Sequence, residues 1–216
     1  MMILNFILGA AKILLGIPIS NWVKILLKND EAARKTIHIL SYQSLFIFNY
    51  VVFKDTVYFI LYPIAYCIIS PILIRMGLIA CIRREEGKQN EMSCVYGGIA
   101  FTILAAISYF YEPFYLYFGL GACALAFGDS TAALIGKKWG KYTLRLPFNK
   151  SLAGCLAFVV FSIISMYIPI FLTATPVLLY QLIILAVIGS IVEIFAGDFD
   201  NFLIPMIVAV MAYVIL

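Results

Sequence analysis

Long stretches of apolar residues, separated by short polar connections, make up most of this 216-residue chain. A helix needs about 20 such residues to cross the hydrocarbon core of a bilayer. Only 12% of the residues are charged and the mean hydropathy is +1.05, whereas an average soluble domain has about 25% charged residues. The chain is therefore predicted to be an integral membrane protein.

The apolar stretches also decide between the two architectures that span a membrane. A transmembrane β-barrel needs segments of about ten residues that alternate between apolar and polar, but here both faces of each stretch are apolar. The predicted fold class is therefore all-α, a polytopic transmembrane helical bundle. At about 20 residues per span there is room for roughly seven or eight spans and no soluble domain. Residues 1–216 are thus predicted to form one integral-membrane domain.

The sequence contains eight candidate helices. They cover residues 2–23, 36–53, 56–80, 94–110, 113–135, 152–172, 176–196 and 201–216. The first is expected to be a retained span, because it lacks the basic start and small-residue cleavage site of a signal peptide. Lys12 and Asn21 would also suit an amphipathic helix lying in the interface, which would leave seven spans.

The basic residues predict the orientation of the bundle. Loops 24–35, 81–93 and 136–151 hold most of the 15 lysines and arginines, and the alternate connections are nearly bare. Since Lys and Arg stay on the cytoplasmic side of a membrane, these loops are expected in the cytoplasm and both termini outside. The net charge of +4 is explained by this orientation, and no nucleic-acid partner is predicted.

A carboxylate and two hydroxyls interrupt the fifth apolar stretch, in the segment Gly128-Asp129-Ser130-Thr131. Polar residues at membrane depth are costly, so each is a functional candidate. A structural role for Asp129 would be to cap a broken helix or to pair with a loop lysine. A functional role would be to bind a cation that is shared with a nucleotide phosphate. Magnesium is usually held by one or two carboxylates together with phosphate oxygens.

The loop that follows has the composition of a phosphate site. Gly136, Lys137 and Gly140 come first, and Asn149-Lys150-Ser151 opens the next helix. Glycines let backbone N–H groups approach an anion, lysines supply charge, and a helix N-terminus attracts a phosphate. A P-loop is excluded, because the glycine spacing is wrong and Tyr142 follows Lys141 where Ser or Thr is required.

Carboxylates collect near the start of the last stretch. Glu193, Asp198 and Asp200 lie within eight residues and are followed by Asn201. Their mutual repulsion is unfavourable unless a cation or a basic neighbour compensates. The alternatives are a solvated acidic turn or a cation site.

A basic pair and the single histidine open the second stretch. Arg34 and His38 are four residues apart, so they share one helix face, and Lys35 lies beside them. His38 is expected to be either a structural interfacial residue or a base.

These motifs, in this order, resemble the membrane kinases that phosphorylate lipid alcohols. The resemblance is to the phytol kinase and dolichol (polyprenol) kinase family together with the CTP-dependent diacylglycerol kinases, within the wider phosphatidate cytidylyltransferase-like superfamily. It covers about residues 31–205 and rests on the following motifs: Arg34-Lys35-x-x-His38, Gly128-Asp129-x-x-Ala132 with Gly136 and Gly140, Asn149-Lys150-Ser151-x-x-Gly154, and Glu193 with Asp200-Asn201 and Pro205.

The resemblance implies phosphoryl transfer from a nucleoside triphosphate, typically CTP, to the hydroxyl of phytol, geranylgeraniol, dolichol or another polyprenol. Together with the residues, it predicts Mg²⁺ held by Asp129 with Asp198 or Asp200. The expected catalytic residues are Asp129, His38, Glu193 and Asp200. The expected nucleotide- and phosphate-binding residues are Arg34, Lys35, Gly128, Ser130, Gly136, Lys137, Gly140, Asn149, Lys150, Ser151 and Asn201.

The chain departs from the family pattern at Ala153, where a Glu is frequent, and in loop 81–93. It also lacks the extra spans of larger dolichol kinases, so a small prokaryotic enzyme is expected, in a cell membrane or an ER-type membrane, with its active site facing the cytoplasm. Small residues such as Gly119 and Gly121 suit packing within one chain or between the two chains of a homodimer.

Three other functions are considered. A diacylglycerol kinase would share the chemistry and differ in its acceptor. A cytidylyltransferase that forms a CDP-lipid would react at the α-phosphate, but the Asp-Arg-x-Asp ending associated with CDP-diacylglycerol synthases is absent after Ala196. A transporter would gather its polar groups near the midplane of the membrane, whereas here they lie at one end of the spans.

Overall fold

The computed structural model describes residues 17–76 and 90–216, without the side chains of residues 90 and 91. Over these residues the chain is helical and has no strand, so the predicted all-α bundle is confirmed. Most of the first predicted span and most of loop 81–93 lie outside the described residues.

Eight helices follow one another along the described chain. They are α1 Ile17–Leu27, α2 Asp30–Phe53, α3 Tyr58–Arg75, α4 Asn90–Phe110, α5 Phe114–Tyr142, α6 Leu152–Thr173, α7 Leu179–Phe195 and α8 Asp200–Ile215. Short 3-10 turns lie at Gly140–Tyr142, Pro147–Asn149 and Gly197–Phe199.

Six of these helices are long and apolar enough to cross a membrane, by length and composition: α2 to α6 and the segment Gly197–Ile215 that contains α8. The two shorter apolar helices are α1 and α7. The predicted count of seven or eight spans therefore fits roughly. α2 begins six residues before its predicted start, and α5 runs on past residue 135.

The early start of α2 has a local cause. The side chain of Asn29 accepts hydrogen bonds from the backbone N–H groups of Glu31 and Ala32, at 3.0 and 3.2 Å. This N-cap satisfies donors that the first turn leaves unpaired, and Asp30 and Glu31 complement the positive end of the helix dipole. The first two turns of α2 therefore carry Lys35 and His38 in a rigid frame.

α5 is the centre of the bundle. Its residues between Phe118 and Ala126 are almost all fully buried, and it packs against α2, α4, α6 and α8. A π-helical segment, Ala124–Asp129, interrupts it and ends at the predicted carboxylate. Such segments are rare and occur often at functional sites.

The chain crosses the bundle seven times from α2 to α8, so alternate helix ends meet at one end. The starts of α2, α4, α6 and α8 gather there with the last turns of α5 and α7, and their residues line a shared cavity. The described parts of the basic loops, which are predicted to lie in the cytoplasm, are at this end of the bundle.

Candidate active site

The cavity at this end has a volume of about 950 Å³ and contains most of the residues singled out from the sequence. The predicted residues that line it are Arg34, Lys35, His38, Asp129, Gly136, Lys137, Asn149, Lys150, Ser151, Glu193, Asp198, Asp200 and Asn201. They come from three separate regions of the sequence, residues 34–38, 129–151 and 193–201.

Three predicted residues do not line the cavity. Gly128 packs against α6, where a β-carbon would lie 2.3 Å from the Oγ of Ser162. Gly140 packs against Ser151 in the same way. Ser130 is fully buried behind His38.

Asp129 is held by a lysine from another helix. The Nζ of Lys35 donates to the Oδ2 of Asp129 at 2.5 Å, and both residues are only 3% exposed. A buried charge is costly without a partner, so this ion pair offsets the cost of burying the two side chains. The sequence suggested a loop lysine as one possible partner; Lys35 was assigned to loop 24–35, and the structure places it in α2.

His38 joins three helices through its ring nitrogens. Nε2 lies 3.0 Å from the Oδ1 of Asn201, whose Nδ2 donates to the backbone carbonyl of Ser93 at 3.0 Å. Since the Asn201 oxygen must accept, Nε2 carries the proton and Nδ1 accepts from the Ser130 hydroxyl at 3.2 Å. The Nε2 atom is also 3.5 Å from Asp129. Both nitrogens are therefore engaged.

Two further ion pairs neutralise the walls. Lys150 donates to the carboxylate of Glu193, which is buried in the last turns of α7, and Arg34 pairs with Glu31 one turn earlier in α2. Lys150 is thus the basic neighbour of one member of the acidic cluster, Glu193. Among the described residues Lys137 lines the cavity without an ion-pair partner.

Asp198, in the turn before α8, and Asp200, at the start of α8, also line the cavity and make no ion-pair contact with Lys or Arg among the described residues. One oxygen of Asp200 accepts the backbone N–H of Asn201 at 2.7 Å. Within the described chain no three His, Cys, Asp or Glu residues are placed to hold a metal alone. One or two carboxylates, such as Asp129 with Asp198 or Asp200, nevertheless suit Mg²⁺, which completes its octahedron with water and phosphate oxygens.

Sequence reasoning missed several lining residues. Ser93 contributes a backbone carbonyl, which any residue type supplies, so its identity held no signal. Glu31 stands three residues before Arg34, a spacing that does indicate a pair on one helix face. The missed aromatic residues are Tyr96 and Phe148.

No protein-family model and no solved structure matches the chain. Over 104 residues it is 36% identical to CTP-dependent diacylglycerol kinase 1 of Schizosaccharomyces pombe, an alignment covering 43% of this chain and 48% of that protein. The match thus spans about half the length of this curated relative. The similarity supports a relationship to CTP-dependent lipid kinases.

Proposed function

We propose that this chain is a membrane kinase that transfers the γ-phosphoryl group of CTP to the hydroxyl of a membrane lipid alcohol. The observation that carries the proposal is a polar cavity at one end of an apolar bundle, lined by both basic side chains and carboxylates. The partial similarity to a CTP-dependent diacylglycerol kinase points to the same chemistry.

The position of the cavity suits a reaction between two phases. The helices that carry it are long and apolar enough to lie in lipid, and the cavity opens among their ends. A lipid hydroxyl can reach it from the membrane surface while the nucleotide arrives from water. A kinase built in this way needs no soluble domain.

The acceptor class is a lipid alcohol. The named activity of the relative makes diacylglycerol the first acceptor to test. The isoprenoid alcohols phytol, geranylgeraniol, dolichol and other polyprenols are the alternatives, because the sequence motifs resemble their kinases as well.

We assign the phosphate-binding wall to the end of α5 and the start of α6. Lys137 has no ion-pair partner among the described residues, and Lys150 lies beside the N-terminus of α6, which Ser151 caps. A helix N-terminus and two lysines together favour a polyphosphate. Mg²⁺ held by Asp198 together with Asp129 would supply further neutralisation of the phosphate oxygens and leave Asp200 available.

We assign the proton of the acceptor to Asp200. A bond forms from the alcohol oxygen to the γ-phosphorus while the bond between the γ-phosphorus and the β,γ-bridging oxygen breaks, and CDP leaves with that oxygen and the bonding electron pair. The alcohol O–H bond breaks and its proton passes to the carboxylate. Asp129 is paired with Lys35, and Glu193 is paired with Lys150. His38 is hydrogen-bonded to Asn201 and Ser130. These three side chains are therefore less suited to accept the proton. We propose that His38 acts as a positioning residue for Asn201 and Asp129.

The decisive experiment follows label from CTP. The purified protein in micelles with Mg²⁺ is given CTP labelled at the γ- or the α-phosphate, with diacylglycerol, phytol, geranylgeraniol, a long polyprenol or phosphatidic acid. We expect label from the γ-position in one of the alcohols. Label from the α-position in a CDP-lipid would instead identify a cytidylyltransferase, and no transfer from CTP, ATP, GTP or UTP would exclude the kinase.

A further inference from the structure

An exposed aromatic ring stands at the edge of the cavity. Phe148 lines the cavity, yet 70% of its surface is exposed. Its one aromatic contact among the described residues is an edge-to-face contact with Phe195, with ring centroids 6.0 Å apart, and Phe195 is itself 63% exposed. Burial in a core therefore does not account for a phenylalanine at this position.

The backbone beneath this ring is strained. Phe148 has φ +56° and Asn149 has φ +59°, so two successive residues other than glycine occupy the left-handed region. Asn tolerates this region, but a bulky residue such as Phe is an outlier there. Backbone strain of this kind clusters at ligand-binding sites.

The amide of Asn149 is also available. The side chain is exposed, lines the cavity and makes no hydrogen bond within the described part of the chain. An amide presents a donor and an acceptor side by side. Cytosine presents a matching pair, its exocyclic amino group and ring N3.

The distance to the phosphate wall suits a nucleotide. Phe148 and Asn149 directly precede Lys150 and Ser151, so the Cα atoms of Phe148 and Lys150 are at most about 7 Å apart, and both side chains line the cavity. A sugar separates the base of a nucleotide from its phosphates over a comparable length. A triphosphate held at Lys150 would thus leave its base beside Phe148.

We propose that Phe148 and Asn149 form the nucleobase subsite of the cavity. Phe148 stacks on the face of the pyrimidine, and the amide of Asn149 bonds to its edge. This inference rests on the proposed function and adds to it a site that recognises the base. The sequence had not indicated Phe148 as a binding residue.

The competing explanation is that Phe148 anchors the loop in the membrane interface, where aromatic residues collect. The same connection supplies a matched control. Tyr142 is 74% exposed, contacts the Lys141 ammonium through its ring, and does not line the cavity. An anchoring role would make the two rings equivalent, whereas base stacking concerns Phe148 alone.

The test measures CTP binding to the solubilised protein by calorimetry, with inorganic triphosphate as the second ligand. Phe148→Ala should weaken CTP binding about tenfold, within the range for loss of a base–aromatic stack, and leave triphosphate binding unchanged. Phe148→Trp should bind CTP normally. Phe148→Gly relieves the left-handed strain and should still lose affinity, so misfolding would not explain the loss. With ATP as a third ligand, Asn149→Gly should lower the ratio of CTP affinity to ATP affinity.

Tyr142→Ala should bind both ligands like the wild type. Equal CTP affinity of Phe148→Ala and wild type, or an equal loss in Phe148→Ala and Tyr142→Ala, would overturn the subsite and leave the kinase standing. A wild-type protein that binds neither CTP nor triphosphate would overturn both the subsite and the proposed function.

Discussion

Lys35 and Asp129 both lose water when the bundle forms, and their ion pair is what makes this burial tolerable. Lys35→Met leaves the carboxylate without its partner, so we expect a loss of about 3–5 kcal/mol in the free energy of unfolding. The double variant Lys35→Met/Asp129→Asn removes both charges and should recover most of that loss. Thermal unfolding in detergent measures both, and a double variant as unstable as Lys35→Met would contradict the pair.

We expect the double variant to recover stability without recovering catalytic activity. Both side chains line the cavity, so we expect the double variant to fold and yet fail to transfer phosphate from CTP. A stable double variant with normal turnover would show that the pair serves the fold alone.

Asp200 is the residue for which we expect the largest effect on rate with the least effect on folding. If it accepts the alcohol proton, Asp200→Asn should lower kcat by about 100-fold or more. Asp55 provides the control, because it is an exposed carboxylate at the opposite end of the bundle. Asp55→Asn should keep the wild-type kcat in the CTP assay, and a similar kcat in both variants would contradict the assignment.

The residues singled out from the sequence are brought together by the fold, but the sequence did not predict how they pair. Lys35 and Asp129 were both candidates, one for phosphate and one for metal, yet 94 residues separate them. Local spacing reports only on neighbours in one helix, so a pair of this kind is invisible before the helices pack. The bond from Asn201 to the Ser93 carbonyl is hidden for a further reason, since backbone carbonyls have no residue type.

At the scale of the elements, the contact between the end of α5 and the start of α6 depends on small residues. A β-carbon on Gly140 would lie 2.8 Å from the Oγ of Ser151 and 2.9 Å from its Cβ. Gly140→Ala should therefore destabilise the protein by about 1–3 kcal/mol through overpacking. Ser151→Gly removes both contacting atoms and costs only a few tenths of a kcal/mol as an N-cap.

The double variant Gly140→Ala/Ser151→Gly should then be more stable than Gly140→Ala alone. Such non-additivity is the signature of two residues in contact. Unfolding temperatures of the two single variants and the double variant complete the cycle. Strict additivity would mean that the two segments do not touch.

Helix positions were predictable from the sequence and helix ends were less so. Apolar runs located α6 closely, since the prediction of 152–172 compares with Leu152–Thr173. α2 begins earlier than its apolar run because the Asn29 cap and the acidic first turn continue the helix through polar residues. The π-helical segment before Asp129 left no pattern in the sequence, because it arises from packing.

At the scale of the whole molecule, the bilayer explains why the fold class was predictable. Backbone groups in lipid must be satisfied within helices or closed barrels, so uninterrupted apolar runs leave few alternatives. The number of spans was less determined, because α7 has 17 residues and is shorter than each of the six segments long enough to span a membrane. From the sequence we could infer only that the polar residues lie at one end of the bundle. The cavity itself could not be predicted, because its walls come from six helices that meet only after packing.

The orientation of the bundle is a prediction for the whole molecule. Lysines and arginines concentrate at the cavity end, and the rule for basic loops places that end in the cytoplasm. A kinase that uses CTP requires the same orientation, because nucleotides are supplied there. Single cysteines at Tyr142 and at Asp55, introduced into a variant without the five native cysteines, report on the two ends.

In sealed right-side-out vesicles, a membrane-impermeant maleimide should label Asp55→Cys and leave Tyr142→Cys unlabelled. Inverted vesicles should reverse the result, and detergent should expose both. Labelling of Tyr142→Cys from outside would place the cavity on the wrong side for a cytoplasmic nucleotide. The proposed function would then need a phosphoryl donor outside the cell. We expect the opposite result, because the basic loops place the cavity end in the cytoplasm.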